Sequence, residues 1–268
     1  MVYAALGSII VTCIVLPFVI FLVTIIRDKE SKLRQLIFFV TGVVVYFATQ
    51  WGMKEKGLQW LFNNKKTTGF DMFSFMANHY FLYLAAVACS GSLLLYVVSF
   101  LLFRFVFHRN YTVKNIFMYG LGFGMSESIM LAGMKSIYTL YEMKKGTEGE
   151  IGSGTMELFL SGYERLLFVF IHISLLIVLA YFIQKKQNIG LLVTIFCETL
   201  AGFLPGFFIA FSTVNYLEIY SRTVALGIIY TILTLAVITG FIVIINLRYS
   251  FEKINCTEKK PKKQVKMD

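Results

Sequence analysis

The sequence predicts an all-α fold, a polytopic membrane helix bundle of about seven transmembrane helices, and three observations carry the prediction. Apolar runs near 20 residues long recur along the whole chain, which is the length a helix needs to cross a hydrocarbon core about 30 Å thick. Hydrophobic residues make up 57% of the chain against 15% charged, with a mean hydropathy of +0.72, more than a soluble core requires. Phe (27) and Tyr (15) are abundant, and tyrosines gather near the ends of runs, as interfacial belts require. Strands of a membrane barrel would alternate over about ten residues, and these runs do not.

The first span covers 2–26 and ends at Arg27-Asp-Lys-Glu30. It lacks a basic leader and is too long for a cleaved signal, so it is read as a span. The second covers 35–53, followed by a partly apolar connection at 54–78 (Trp60, Phe62, Phe70, Phe73) that is expected to lie along the interface or dip into the bundle. The third, 79–103, holds Cys89-Ser-Gly-Ser92 at its middle. A basic loop with Arg104, Arg109 and Lys114 leads to the fourth span, 115–134. The polar, glycine-containing connection 135–161 is expected to be mobile. The fifth span, 162–183, opens with Tyr163-Glu-Arg165 and carries His172 near its centre. The sixth, 188–213, holds Cys197-Glu198 and then Pro205, which is expected to kink it. The seventh covers 223–247. The bundle thus occupies 1–250, and the Lys-rich tail 251–268 is expected to be disordered.

The net charge of +10 does not imply nucleic acid as a partner, because most of it lies in loops and tail. The side holding loops 27–34, 104–114, 185–186 and the C-terminal residues 248–268 carries 16 of the 25 basic residues, which places the N-terminus outside and the C-terminus inside. Asn110-Tyr-Thr and Asn255-Cys-Thr match a glycosylation pattern but fall on the inner side, so they are read as chance. The four cysteines show no CxxC spacing, which excludes a disulfide framework.

One stretch organises the rest: Gly120-Leu-Gly-Phe-Gly-Met-Ser-Glu-Ser128 sets a carboxylate, Glu127, within a long apolar run. An ionisable group at that depth costs at least about 2.5 kcal/mol to insert, so it has a partner or a task. At about 1.5 Å rise per residue, Glu127, His172, Cys89, Cys197 and Glu198 all come near the midplane, on four helices. Acid, imidazole and thiol at one depth outline a site, with Ser126, Ser128 and Phe123 as further candidate cavity-lining residues. The plainer readings stand beside it. The two glutamates can be protonated interhelical glue, His172 a satisfied neutral histidine, the cysteines small apolar packers, and Glu164–Arg165 an interfacial ion pair. Because the fourth and fifth spans are consecutive, Glu127 and His172 are expected to face one cavity and pair.

Gly122-Phe-Gly-Met-Ser-Glu-Ser128 resembles the GF-x-x-x-E motif of YhfC- and PrsW-type membrane proteins, and Glu164-Arg165 with His172-Ile-Ser174 is similar to the ER…H-x-x-S helix of the YhfC family. These are relatives of the CPBP intramembrane metalloproteases, in which a glutamate activates water at a metal held by histidines. The resemblance implies catalytic positions at Glu127, His172, Glu164 and Arg165, with His172 the best single metal candidate. It also implies a multi-pass protein of a bacterial plasma membrane. The departures are substantial. Cys89-Ser-Gly-Ser92 stands where the family has paired glutamates, and Cys197-Glu-Thr-Leu-Ala201 where it has a second histidine. Phe123 stands where a further histidine is often found. Zinc remains conceivable only if Cys89, His172 and Cys197 converge, since thiolates bind it well.

The sequence is therefore read as a degenerate member of that family. Besides the lipid bilayer, its expected partners are a membrane-embedded hydrophobic peptide, a lipid-like molecule or a partner helix, with no cofactor. Two alternatives stay open: a transporter or permease subunit using Glu127, Glu198 and His172 as a relay, and an active protease with altered ligands.

Overall fold

The computed structural model describes residues 2–27, 32–63, 71–108, 111–145, 155–213 and 222–258. Among them there is no strand, and seven helices are long and apolar enough to span a membrane. They are α1 (Val2–Arg27), α2 (Lys32–Asn63), α4 (Tyr80–Val106), α5 (Val113–Lys144), α6 (Thr155–Gln184), α7 (Ile189–Thr213) and α8 (Arg222–Glu258), with a short α3 (Met72–Asn78) before α4. Two helix starts are capped by side chains. Asp71 accepts the Ser74 N–H at 3.2 Å and Thr112 accepts the Asn115 N–H at 3.3 Å, each cap contributing about 1 kcal/mol.

Hydropathy marked the spans but not the helix ends. α2 continues ten residues past the end of its apolar run, through Lys54 and Glu55, and α5 continues to Lys144. Helical hydrogen bonding does not stop where apolar residues do, so polar turns can face a cavity or the interface. Most of the anticipated connection at 54–78 is therefore helical, with 64–70 outside the described residues. Of the stretch expected to be mobile, 146–154 lies outside them. Pro205 sits inside α7 without ending it. The last helix runs on to Glu258, into the anticipated tail, while 259–268 are outside the described residues.

Helices α5 and α6 form the centre, and their glycines explain why. A Cβ on Gly120 would lie 2.9 Å from Ile173 Cα, and one on Gly124 3.0 Å from Val169 Cα. One turn further, the Ser128 hydroxyl donates to the Arg165 carbonyl at 3.4 Å. These contacts step by four residues in opposite directions, so α5 and α6 are antiparallel with their backbones nearly touching. Gly122 points the other way, onto the Phe39 carbonyl of α2, and Gly42 of α2 answers it against the Tyr119 carbonyl. Alternate glycines thus let α5 be clasped from both sides. In lipid such close contact matters more than apolar burial, because tails are as apolar as leucine. Around this centre α1 and α8 pack on α6, and α4 pairs with α7, where Gly206 meets Leu84. Large exposed apolar side chains such as Val19, Val23, Leu192 and Phe196 cover the outside, as a lipid-facing surface does.

Four spans contain a wide π-helical stretch: Val11–Val15, Phe47–Glu55, Leu102–Val106 and Ile129–Gly133. Such turns re-aim the side chains that follow and recur at functional sites. Two of them bear directly on the polar centre, since one contains Gln50 and Lys54 and the other begins two residues after Glu127.

Candidate functional site

The α5–α6 register decides how Glu127 and His172 meet. With Gly124 opposite Val169, the backbone of Glu127 lies level with residue 166, about 9 Å along the axis from His172. Helical side chains lean toward their own N-terminus. In an antiparallel pair these two therefore lean toward each other and close the gap. His172 Nε2 lies 2.5 Å from Glu127 Oε2. The expected pairing is present.

The pair extends in both directions. His172 Nδ1 approaches Glu198 Oε1 of α7 to 3.2 Å, without the alignment of a hydrogen bond. The ring therefore has one well-made bond and one ionic approach, and Nδ1 is buried without a hydrogen-bond partner. Tyr96 of α4 donates its hydroxyl to Glu198 Oε2 at 3.2 Å. On the other side Arg165 Nη1 stands 4.0 Å from Glu127 Oε1, and its guanidinium is bonded to Glu164. Tyr230 of α8 donates to Glu164 Oε2 at 3.5 Å. Tyrosine, three acids, histidine and arginine from five helices thus form one connected polar chain. The imidazole is walled by Phe123, whose ring stands edge-on at 5.0 Å, and by Phe168, over which Arg165 also lies at 5.1 Å. Partners of opposite sign offset the desolvation that each ionised group would suffer alone.

A cavity of about 240 Å³ borders this chain, lined by Glu127, Glu164, Arg165, His172, Glu198 and Phe123 on one side and by Leu84, Val87, Leu95 and Pro205 on another. A second, of about 330 Å³, lies between α2 and α5 and shares Gln50, Lys54, Glu127 and Leu131 with the first.

The other anticipated residues fall elsewhere. Ser126 donates to the Gly122 carbonyl of its own helix at 2.8 Å and Ser128 to the Arg165 carbonyl, and neither lines either of these two cavities. Cys89 and Cys197 are exposed on the outer faces of α4 and α7. The physical reason is azimuth. Ser92, three residues after Cys89, and Glu198, one residue after Cys197, are the ones that turn inward. The convergence of Cys89, His172 and Cys197 on a metal does not occur. Among the described residues no group of three or more His, Cys, Asp or Glu is arranged to hold a metal ion.

Four contributors escaped the reading of the sequence: Gln50, Lys54, Tyr96 and Tyr230. Gln50 and Lys54 were treated as the end of an apolar run and the start of a loop. Their spacing of four already put them on one helix face. That face packs over Gly91 of α4, where Gln50 Nε2 donates to the Gly91 carbonyl at 2.9 Å. A Cβ on Gly91 would come within 2.8 Å of Lys54 Nζ. Tyr96 and Tyr230 carried no local signal, since a tyrosine inside a span reads as packing.

The family described as YhfC intramembrane metalloprotease matches residues 12–152, just over half of the chain. The match takes in Gly122–Ser128 with Glu127 and ends before Arg165, His172 and Glu198. No curated protein and no solved structure matches the chain.

Proposed function

Since the chain belongs to the YhfC intramembrane metalloprotease family, we propose that it is a degenerate member: a multi-pass protein of a bacterial plasma membrane, with its N-terminus outside and C-terminus inside. It keeps the intramembrane cavity to bind a hydrophobic peptide, a lipid-like molecule or a partner helix. The observation that carries the reading is the bond between His172 Nε2 and Glu127 Oε2 at 2.5 Å. It joins the histidine and the acid of the family's motifs to each other. A metal on that nitrogen would have to displace Glu127 and would sit beside Arg165, 4.0 Å from the same carboxylate. The residues present do not fit a hydrolytic zinc site, which takes three protein donors and an open position. The acids Glu127, Glu164 and Glu198 are instead answered by Arg165, His172 and two tyrosine hydroxyls. No catalytic step is assigned to them.

The test is metal analysis of the purified full chain together with incubation against a membrane peptide. Less than one tightly bound zinc per chain and no cleavage are expected. Stoichiometric zinc that disappears in His172→Ala would overturn the reading.

A specific observation also favours the relay alternative. Tyr96, Glu198, His172 and Glu127 form a run of proton-carrying groups across α4, α7, α6 and α5, hydrogen-bonded at both ends and in ionic approach between Glu198 and His172, an arrangement of the kind a proton-coupled carrier uses. Proton flux in vesicles that stops in Glu127→Gln and Glu198→Gln would favour it over binding alone.

A further inference from the structure

The partners of the cavity's charged groups are unevenly shared. Each acid of the smaller cavity is held by this chain's own residues: Glu127 by His172 and Arg165, Glu164 by Arg165 and Tyr230, Glu198 by Tyr96 and His172. Arg165 is committed in turn to two carboxylates and the Phe168 ring. Lys54 is different. It lines both cavities, faces Glu127 and Glu198 across them, and makes no hydrogen bond or ion pair within 4.0 Å among the described residues. Gly91 leaves room for its ammonium on α4, and Gln50 stands one turn before it. On the far side of this polar pair, the larger cavity continues between Tyr46, Leu58, Phe62 and Leu131, with the exposed Glu55 and Gln59 also lining it.

A partly buried ammonium beside satisfied acids has no acceptor among the described residues, and the compartment adjoining it offers the apolar side chains of Leu58, Phe62 and Leu131, with Glu55 exposed. We propose that Lys54 anchors the anionic head, carboxylate or phosphate, of a single-chain membrane amphiphile whose tail lies in the cavity of about 330 Å³ between α2 and α5. Gln50 lines the same junction beside the head. This rests on the binding reading above and names the ligand class for it. The bilayer holds such molecules at high local concentration, and both compartments lie within the spans.

The test uses the chain's two tryptophans. Trp51 and Trp60 are both exposed, so Trp51→Phe and Trp60→Phe remove them without disturbing the core, and Phe62→Trp places a single reporter in the larger cavity. The full chain in neutral detergent is titrated with three bromine-labelled quenchers of matched chain length: a fatty acid, a lysophosphatidate and an uncharged monoacylglycerol. Saturable quenching is expected with the first two, about tenfold or more tighter than with the third. The carboxylate and phosphate arms tell which head is preferred. Lys54→Gln should abolish the difference, and Lys54→Arg should retain it. Saturable quenching that is equal for all three and indifferent to Lys54→Gln would overturn the anion anchor and leave the binding cavity standing. Quenching that only rises linearly with every probe would overturn both.

Discussion

The bond between Glu127 and His172 predicts a measurable non-additivity. Glu127→Ala removes the partner of His172 Nε2 at 2.5 Å and one of the two carboxylates beside Arg165, leaving a buried imidazole with only the misaligned approach to Glu198. Leaving a buried polar group unsatisfied costs about 1–3 kcal/mol, and the upper half applies here because two groups, His172 and Arg165, lose a partner. His172→Ala is milder on the polar side. Glu127 keeps Arg165, with a side chain 21% exposed to the cavity, and Glu198 keeps Tyr96. About 1–2 kcal/mol is expected for that change, most of it from lost packing against Phe123 and Phe168. Interhelical polar couplings measured within membranes average about 0.6 kcal/mol and reach about 1.7. The short, charge-assisted geometry puts this pair near the top, at about 1–1.5 kcal/mol. The assay is a double-mutant cycle on unfolding in detergent, read by denaturant or heat. At about 2–4 °C per kcal/mol, Glu127→Ala alone should lower Tm by about 4–12 °C. Glu127→Gln should recover part of the loss by keeping a hydrogen-bonding side chain. Singles that add to within about 0.5 kcal/mol in the double variant would refute the pairing and leave Glu127 as glue to another helix.

Other outcomes follow from the packing. Gly122→Ala drives a Cβ into the Phe39 carbonyl, so it should destabilise by about 1–3 kcal/mol, whereas Gly227→Ala, with nothing within 4 Å, should be neutral or stabilising; equal melting temperatures would contradict the α2–α5 contact. Cys89→Ser and Cys197→Ser should leave stability and ligand binding unchanged, since both thiols face outward, and loss of binding in either would show that they do reach the cavity. A reporter fused after Asp268 should be cytoplasmic and one inserted near Gly146 external; the same side for both would mean an even or miscounted set of crossings.

What could be read from the sequence follows from what a helix periodicity encodes. Depth is a matter of counting along the chain, which brings Glu127, His172 and Glu198 within side-chain reach of one another, the backbones of the first two lying about 9 Å apart along the axis. Azimuth is not. Cys197 and Glu198 are neighbours in sequence and about 100° apart around the helix, and only one of them faces the cavity. The same blindness put Ser126 and Ser128 in the site, although the Ser126 hydroxyl is spent on a carbonyl of its own helix and that of Ser128 on a carbonyl of α6. The pairing of Glu127 with His172 was accessible because short connections make consecutive helices neighbours and the glycine-rich run announces a close one. Lys54 was lost for the opposite reason. A lysine at the end of an apolar run looks like the end of the span, and nothing local says that the helix runs on with its face toward another helix.

The glycine clasp on α5 also bears on how the chain enters the bilayer. α5 is the least apolar of the seven spans, with a mean hydropathy of 1.2 in its best window against 3.1 for α1 and 2.8 for α6. Alone in lipid it would present a carboxylate, two serine hydroxyls and bare glycine backbone, each of which partitions poorly. Ser126 is answered within α5, but the carboxylate, the Ser128 hydroxyl and the glycine faces are answered only by neighbours, α2 made before it and α6 made after it. The segment at the heart of the finished bundle is therefore the one least able to leave the translocon unaided. Its residence there lasts until α6 emerges, and a pause or truncation before residue 184 should strand it for quality-control proteolysis.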